Sequence, residues 1–291
     1  MVKLKFAVIG GDRRAAYAVG DLAARKLDVR AAALELSGLV DPQRLVTVDR
    51  ALAEADAILL PVPLLGADGR LFCEYACDRP EPREIVSKSK SGALLFAGRV
   101  PEELFKYARL CGRELIDIFS REELKIRNAV PTAEGALEIL LRRLPGTIAG
   151  SELAVTGYGR SAQAMCTALQ ALGASVTVCA RDPAALALAR TRGCDTLALS
   201  EISLRKRRFD SVINTVSARV IGESELKKLP RGCLILDLAS ESCLEDERAP
   251  AAFGIEYERA LSLPGKSAPK TAGRIIVETV LDILREGGVA I

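Results

Sequence analysis

The sequence predicts an α/β protein of two doubly wound parallel-sheet domains, the second a Rossmann dinucleotide-binding domain, linked by two long crossing helices. Three observations lead there. Short continuous apolar runs alternate with amphipathic helical stretches, the pattern of strands buried on both faces and covered by helices. That alternation occurs twice, over the first hundred-odd residues and again from 153 to about 263. A glycine-punctuated turn stands between a strand and a helix at the start of the second series. The chain has 291 residues, enough for two domains of ordinary size.

In the first series, residues 4–9 read as a buried strand ending in the tight turn Gly10-Gly11, and residues 14–26 place Ala15, Ala18, Val19, Leu22 and Ala23 at helical spacing. Further apolar runs at 29–34, 57–62, 93–97 and 115–118 supply the remaining strands. Pro101-Glu102-Glu103 opens a helix with proline first and acids in the first turn. Residues 66–92, rich in Gly, Pro and charge, read as a long loop. Asn128-Ala129-Val130-Pro131-Thr132-Ala133-Glu134-Gly135 leads into a helix whose apolar face is Ala133, Ala136, Leu137, Leu140, Leu141 and Leu144, ended by Pro145-Gly146. The second series has strands near 153–156, 175–179, 211–214, 233–238 and 255–257. A last helix over about 271–286 carries the stripe Ala272, Ile275, Ile276, Thr279, Val280 and Ile283 and is expected to return to the first domain. The expected boundaries are 1–127, a flavodoxin-like substrate or partner domain; 128–148, a connecting helix; 149–265, the nucleotide-binding domain; and 266–291, the returning helix.

The strongest chemical signal is Gly157-Tyr158-Gly159-Arg160-Ser161-Ala162, a G-x-G-x-x-A turn directly after the strand Leu153-Ala154-Val155-Thr156 and directly before an amphipathic helix. Gly157 permits the tight turn, Gly159 lets backbone N–H groups approach a pyrophosphate, and small Ala162 permits close helix–strand packing. The helix N-terminus adds about half a positive charge at the phosphates. The next strand ends Val178-Cys179-Ala180-Arg181-Asp182-Pro183, with Ala180 where an NAD site usually has its ribose-binding acid. Arg181 suits a 2′-phosphate, which points to NADP. NAD is the alternative, with Arg181 merely exposed and Asp182 either binding the ribose or capping the next helix. Asn214, Thr215, Ala239 and Ser240 fall at the ends of later strands, where they either face the nicotinamide side or serve as ordinary turn and capping residues.

Composition excludes several other chemistries. Lys and Arg number 41 against 38 acids, a net charge of +3 that argues against a nucleic-acid protein, and the run Arg205-Lys206-Arg207-Arg208 has no interleaved aromatics. Histidine is absent, which removes histidine-based triads and every His-containing zinc site. The eight cysteines, at 73, 77, 111, 166, 179, 194, 233 and 243, include no C-x-x-C pair and read as small buried hydrophobes kept reduced, with no metal. The N-terminal apolar run is too short for a signal peptide, and no stretch nears the ~18 apolar residues of a membrane span. A cytoplasmic protein without a membrane anchor is expected, and a two-fold homodimer is the default oligomer.

With these pieces in order, the chain resembles the family formed by the A subunit of dipicolinate synthase in spore-forming bacteria. The segments that carry the resemblance are Ile9-Gly10-Gly11-Asp12-Arg13, Asn128 to Gly135, Gly157-Tyr158-Gly159-Arg160, Asp237-Leu238-Ala239-Ser240 and Leu263-Pro264-Gly265-Lys266-Ser267-Ala268-Pro269-Lys270-Thr271-Ala272-Gly273. The chain departs from the family pattern at Ser217, where a proline is usual, and at Glu241-Ser242-Cys243, which replaces a glycine-rich turn. The resemblance implies an architecture like that of D-2-hydroxyacid and alanine dehydrogenases. It also implies a flavoprotein-like partner, the B subunit of dipicolinate synthase, and a place in the mother-cell cytoplasm during sporulation. The implied reaction is NADP-dependent oxidation of dihydrodipicolinate, or its hydroxylated tetrahydro precursor, to dipicolinate.

A ring carrying two carboxylates needs convergent positive charge and hydroxyl or amide donors. Lys266, Ser267, Lys270 and Thr271 are expected at the start of the last helix, Asn128 and Thr132 on the connecting segment, and Asp12, Arg13 and Arg14 after the first strand, all bordering an interdomain cleft. Substrate contacts are assigned to Arg13, Asn128, Thr132, Ser267 and Thr271. Lys266 or Lys270 would position the carboxylates and, if desolvated, accept the ring proton, with Asp12 as another base. The competing readings are a solvated helix start for the lysines and a helix cap for Asp12. At the level of the whole chain, a stand-alone dehydrogenase of the hydroxyacid or alanine type and a non-catalytic NADP-binding module remain the alternatives.

Overall fold

A computed structural model of the chain describes residues 4–76, 78–201 and 209–290. The basic run 205–208 and Cys77 lie outside the described residues. The chain divides into two compact units, Met1–Asn128 with Ala268–Ile291, and Ala129–Ser267.

The first unit holds strands β1 (Lys5–Ile9), β2 (Asp28–Ala32), β3 (Ala57–Leu59), β4 (Leu94–Ala97) and β5 (Glu114–Asp117), all parallel, in the order β2-β1-β3-β4-β5. That is the flavodoxin-like order, and the chain reverses direction across the sheet between β1 and β3. Its helices are α1 (Arg13–Ala24), α2 (Val48–Glu54), α3 (Pro82–Lys88) and α4 (Glu102–Leu110), and α5 (Glu122–Arg143) begins here. Along β1 the side chains alternate between two cores. Phe6 and Val8 enter the one that holds the apolar face of α1, and Ala7 and Ile9 enter the one that holds Ile85 and Val86 of α3.

The second unit holds β6 (Glu152–Thr156), β7 (Ser175–Ala180), β8 (Asp195–Ala198), β9 (Ser211–Asn214), β10 (Leu234–Asp237) and β11 (Glu256–Arg259). These parallel strands run in the order β11-β10-β9-β6-β7-β8, the Rossmann order, with its switch point between β6 and β9. Here α6 (Arg160–Ala171), α7 (Pro183–Thr191), α8 (Glu223–Leu226), α9 (Ala249–Ala252) and α10 (Leu263–Ser267) follow, and α11 (Pro269–Glu286) returns to the first unit. Leu153 and Val155 of β6 face one core, which also takes Ala133, Ala136, Ile139 and Leu140 of α5; Ala154 faces the other.

Three local expectations need correction. Residues 66–92 are not one loop, because α3 forms where Pro82 supplies a preset first turn and Ile85 and Val86 bury. The connecting helix starts at Glu122, not at the segment 128–135, and Pro131 lies inside it. A proline there removes the N–H that would bond the Arg127 carbonyl. Lys266 and Ser267 belong to the short α10, separated from α11 by the non-helical residue Ala268.

Helix α11 lies against α1 at very close range. A Cβ on Gly273 would stand 2.5 Å from the Arg14 carbonyl oxygen and 3.2 Å from the Ala18 nitrogen. Backbone cannot yield as a side-chain tip can, so the clash outweighs the better helix propensity of alanine. Gly273→Ala is expected to lower unfolding free energy by about 1–3 kcal/mol in urea titrations.

Candidate functional site

The carboxyl edge of the second sheet is built from a lateral row of polar side chains. Cys179, Thr156, Asn214, Asp237 and Arg259 stand side by side at the ends of β7, β6, β9, β10 and β11. Thr156, Asn214 and Asp237 have no exposed surface. The Thr156 hydroxyl donates to Asn214 Oδ1, and Asn214 Nδ2 donates to Asp237 Oδ1 at 2.7 Å and to the Val216 carbonyl at 3.0 Å. Asp237 Oδ1 also accepts from Ala239 N at 3.1 Å, and Oδ2 accepts from Cys243 N at 2.8 Å and the Tyr257 hydroxyl at 3.1 Å. Burial, helped by the charge of Asp237, pushes the Tyr257 hydroxyl and the Cys243 thiol upward, so both stay protonated at neutral pH. Every polar atom of the Asn214 and Asp237 side chains is thus committed to the fold.

On this edge sits the glycine turn. Gly157 has φ +78°, and a Cβ there would meet Val216 Cγ2 at 2.8 Å and Thr215 Oγ1 at 3.1 Å, so both its conformation and its packing require glycine. Gly159 differs: its backbone is extended, at φ −75° and ψ −170°, and a Cβ would meet nothing within 4 Å. Nothing in the chain itself demands glycine at 159. No side chain caps α6, whose first turn starts at Arg160 and Ser161. Ala162 is fully buried, as close helix–strand packing needs. The Tyr158 side chain is 7% exposed and lies in the core with Cys166 and Cys194, so only its backbone borders the turn. Its carbonyl accepts from Gln163 Nε2 at 3.0 Å.

Other sequence-predicted residues divide clearly. Ala180 is buried at the end of β7 and Arg181 beyond it is exposed. Asp182 is exposed and caps α7 through one oxygen, which accepts from Ala184 N at 2.9 Å. Asn214 and Thr215 do not present their side chains to a ligand. Asn214 is spent on the row, and the Thr215 hydroxyl donates to the Thr156 carbonyl at 2.7 Å. Ala239 is buried with its N–H on Asp237, while Ser240 is exposed and its hydroxyl lies 3.0 Å from that of Ser217. Asn128 and Thr132 are part-buried inside α5, not on a loop. The Ser267 hydroxyl donates to the Leu263 carbonyl at 2.7 Å.

The first unit has its own small crevice at its switch point, about 20 Å³, bordered by Gly11, Asp12, Arg14, Pro61, Val62 and Ile276. Asp12 caps α1 through Arg14 N at 2.9 Å, and its carboxylate takes Arg14 Nη2 at 2.8 Å and Nε at 3.0 Å. Arg14 Nη2 also donates to the Val62 carbonyl. With its oxygens held this way, Asp12 is a cap and an ion-pair partner, not a base aimed at a substrate. Arg13 is exposed and has no carboxylate partner among the described residues. The Gly273–Arg14 contact sets the first turn of α11, with exposed Lys270 and part-buried Thr271, near the first turn of α1. Lys266 is also exposed, so neither lysine has the burial that the proton-acceptor role required.

Apart from part-exposed Cys111, the described cysteines are buried; burial pushes Cys233 up to about 12, while a hydrogen bond with Cys166 pulls the Cys194 thiol below the usual range. Among the described residues no three His, Cys, Asp or Glu side chains gather as metal ligands, and no helix is long and apolar enough to cross a membrane.

Sequence reasoning missed the Thr156–Asn214–Asp237–Tyr257 network. The one signal available was that Thr156, Asn214 and Asp237 each end a largely apolar strand. Removing the Asp237 carboxyl leaves the Asn214 amide, the Tyr257 hydroxyl and two backbone N–H groups short of an acceptor. Asp237→Ala is expected to cost on the order of 3 kcal/mol in urea unfolding, and Tyr257→Phe about 1 kcal/mol.

Comparison with known proteins places these observations. Residues 5–119 match the family described as the N-terminal domain of the dipicolinate synthase A subunit. Over 286 residues the chain is 29% identical to the dipicolinate synthase A subunit of Bacillus subtilis, covering 97% of this chain and 96% of that protein. The crystal structure of the Bacillus subtilis protein superposes with a TM-score of 0.85, covering 98% of this chain and 97% of that one. That of the Bacillus halodurans protein does so at 0.86, with 27% identity, 98% of this chain and 99% of that one. A transhydrogenase from Sinorhizobium meliloti, 18% identical, shares the fold at a TM-score of 0.71 over 97% of this chain and 94% of that one.

Proposed function

Because residues 5–119 belong to the family of dipicolinate synthase A-subunit N-terminal domains and the whole chain resembles that protein, we propose that this chain is an NADP-dependent oxidoreductase that forms dipicolinate. Its substrate is dihydrodipicolinate or the hydroxylated tetrahydro precursor, and it acts with the synthase's B subunit in the mother-cell cytoplasm. The observation that carries this reading is Gly159. Its backbone is one that any residue adopts and its surroundings are open, so the missing side chain leaves room for something outside the chain. At the switch point of a Rossmann-ordered sheet, beside an uncapped helix start, that room suits a pyrophosphate.

Gly159, the backbone of Tyr158, and Arg160 and Ser161 in the first turn of α6 would hold the pyrophosphate, with Arg181 on the 2′-phosphate. Ala180 stands at the end of β7 where an NAD site usually has its ribose-binding acid, and exposed Arg181 follows it, which favours NADP over NAD. Bound there, the nicotinamide supplies a hydride acceptor. The chain's own part is to orient the diacid and take little share in proton transfer. From the dihydro acid, loss of a hydride to the nicotinamide and of a ring proton to water makes the pyridine aromatic, and this drives the step without a strong base; the hydroxylated tetrahydro precursor first loses water. Such chemistry suits a chain without histidine, with Asp12 bound to Arg14 and Lys266 and Lys270 exposed. Arg13, Lys270 and Thr271, on the first turns of α1 and α11, offer charge and a hydroxyl to the substrate carboxylates.

The direct assay mixes purified chain, NADP and dihydrodipicolinate, alone and with the B subunit, and follows NADPH and dipicolinate absorbance together. Equal molar formation of both is expected in at least one condition. Cofactor binding without turnover in either would make the chain a non-catalytic nucleotide-binding module.

Two substitutions separate the parts of the nucleotide site. Gly159→Val fills the open cradle, so NADP affinity should fall at least tenfold while the thermal midpoint stays within a degree or so of wild type, roughly the neutral range of an exposed site. Arg181→Ala should weaken NADP by about tenfold and leave NAD binding nearly unchanged, as measured by fluorescence titration.

A further inference from the structure

We propose that Arg99 is a second carboxylate-binding residue of the first unit, the one that makes the carboxyl edge of its sheet suit a dicarboxylate instead of a monocarboxylate. The proposal rests on the ring-diacid reading above.

Arg99 follows β4 at the carboxyl edge of the first sheet, the edge on which the switch-point crevice opens. It adjoins that crevice through Gly98: a Cβ on Gly98 would stand 2.8 Å from Cγ1 of Val62, which lines it. The backbone of Arg99 is left-handed, at φ +56°, a region where glycine sits without strain and arginine does not. The bend itself has a structural origin. Asp117 accepts the N–H of Arg99 at 3.2 Å, of Val100 at 3.0 Å and of Phe119 at 2.8 Å, and so folds the chain over the end of β5. That accounts for the conformation but not for the residue, since glycine would satisfy the same bonds. Lys26, also at positive φ, differs in that it directly follows the end of α1, where helices commonly terminate in this way.

The side chain is kept ready for an anion. Arg99 is exposed, its guanidinium lies 5.6 Å from the centre of the Phe119 ring, and no carboxylate of the described residues pairs with it. An aromatic platform orients a guanidinium while leaving its N–H fork open. The neighbouring Arg14, by contrast, is neutralised by Asp12. Arg13 and Arg99 follow β1 and β4, separated in the sheet only by β3, hence strand ends roughly 10 Å apart. Two flexible arginine side chains rooted at strand ends so spaced can reach the two carboxylates of one small ring.

The test is calorimetric titration of the full chain with dipicolinate and with picolinate, which keeps one carboxylate, with and without NADP, for wild type, Arg99→Ala, Arg99→Gly and Arg99→Lys. Each protein is also melted. We expect Arg99→Ala and Arg99→Gly to weaken dipicolinate about tenfold to a hundredfold and picolinate no more than about threefold. Arg99→Lys should recover part of the loss, and Arg99→Gly should melt no lower than wild type. Unchanged dipicolinate affinity in Arg99→Ala and Arg99→Gly overturns the role of Arg99 and leaves the diacid reading standing. So does a strongly lowered melt of Arg99→Gly with binding retained, which makes the residue structural. Failure of wild type to bind dipicolinate in either condition overturns both readings.

Discussion

The second unit depends on a chain of hydrogen bonds buried across one edge of its sheet. Thr156, Asn214 and Asp237 end three neighbouring strands in register, and all three are inaccessible to water. A polar group placed there without a partner would cost more than it could return, so the row is stable only when complete. It is complete: Asn214 uses its amide oxygen and nitrogen, and Asp237 takes four donors. Because the bonds run from strand to strand and outward to Val216, Ala239 and Cys243, they fix both the strand ends and the loops leaving them. The glycine turn at 157–159 hangs from this rigid edge, with Gly157 wedged against Thr215 and Val216.

The first unit solves the same problem with charge. Arg14, only 9% exposed in its side chain, is held by Asp12 and ties the start of α1 to the Val62 carbonyl after β3. Asp117 collects three N–H groups where β5 turns into its short helical end. Gly98 and Gly273 allow the close approaches that bring these loops and helices together. In both units the groups nearest the carboxyl edges therefore fall into two sets. One set is consumed in holding the edge, and the other, including Arg13, Arg99 and Arg181, is left facing solvent.

Sequence reading found most of the scaffold and the glycine turn, but not the polar network beneath it. Strands β1, β6 and β9 were legible to within a residue because a fully buried strand must be a short apolar run, and few other structures require that. The turn at Gly157 and Gly159 was legible because its glycines are spaced by the geometry of a strand-to-helix bend. Helix α3 was hidden by flanking prolines and charges, and the early start of α5 by Pro131, which the helix accommodates. Among the polar residues the sequence could not separate workers from supports. Asn214, Thr215 and Asp12 stand where the sequence predicts ligand contacts, yet each side chain already bonds within the protein.

By itself, then, the amino-acid order determined the repeated β-α-β alternation, the place of the glycine turn, and the exclusion of histidine-based chemistry. Each is a property of local spacing or of composition. The tertiary structure alone decided which donors and acceptors remain open, because a side chain's partners come from strands far away in sequence. Asn214 meets Asp237 only once β9 and β10 are paired. Arg99 is strained and unpaired only because Asp117, on the next strand, draws its backbone around.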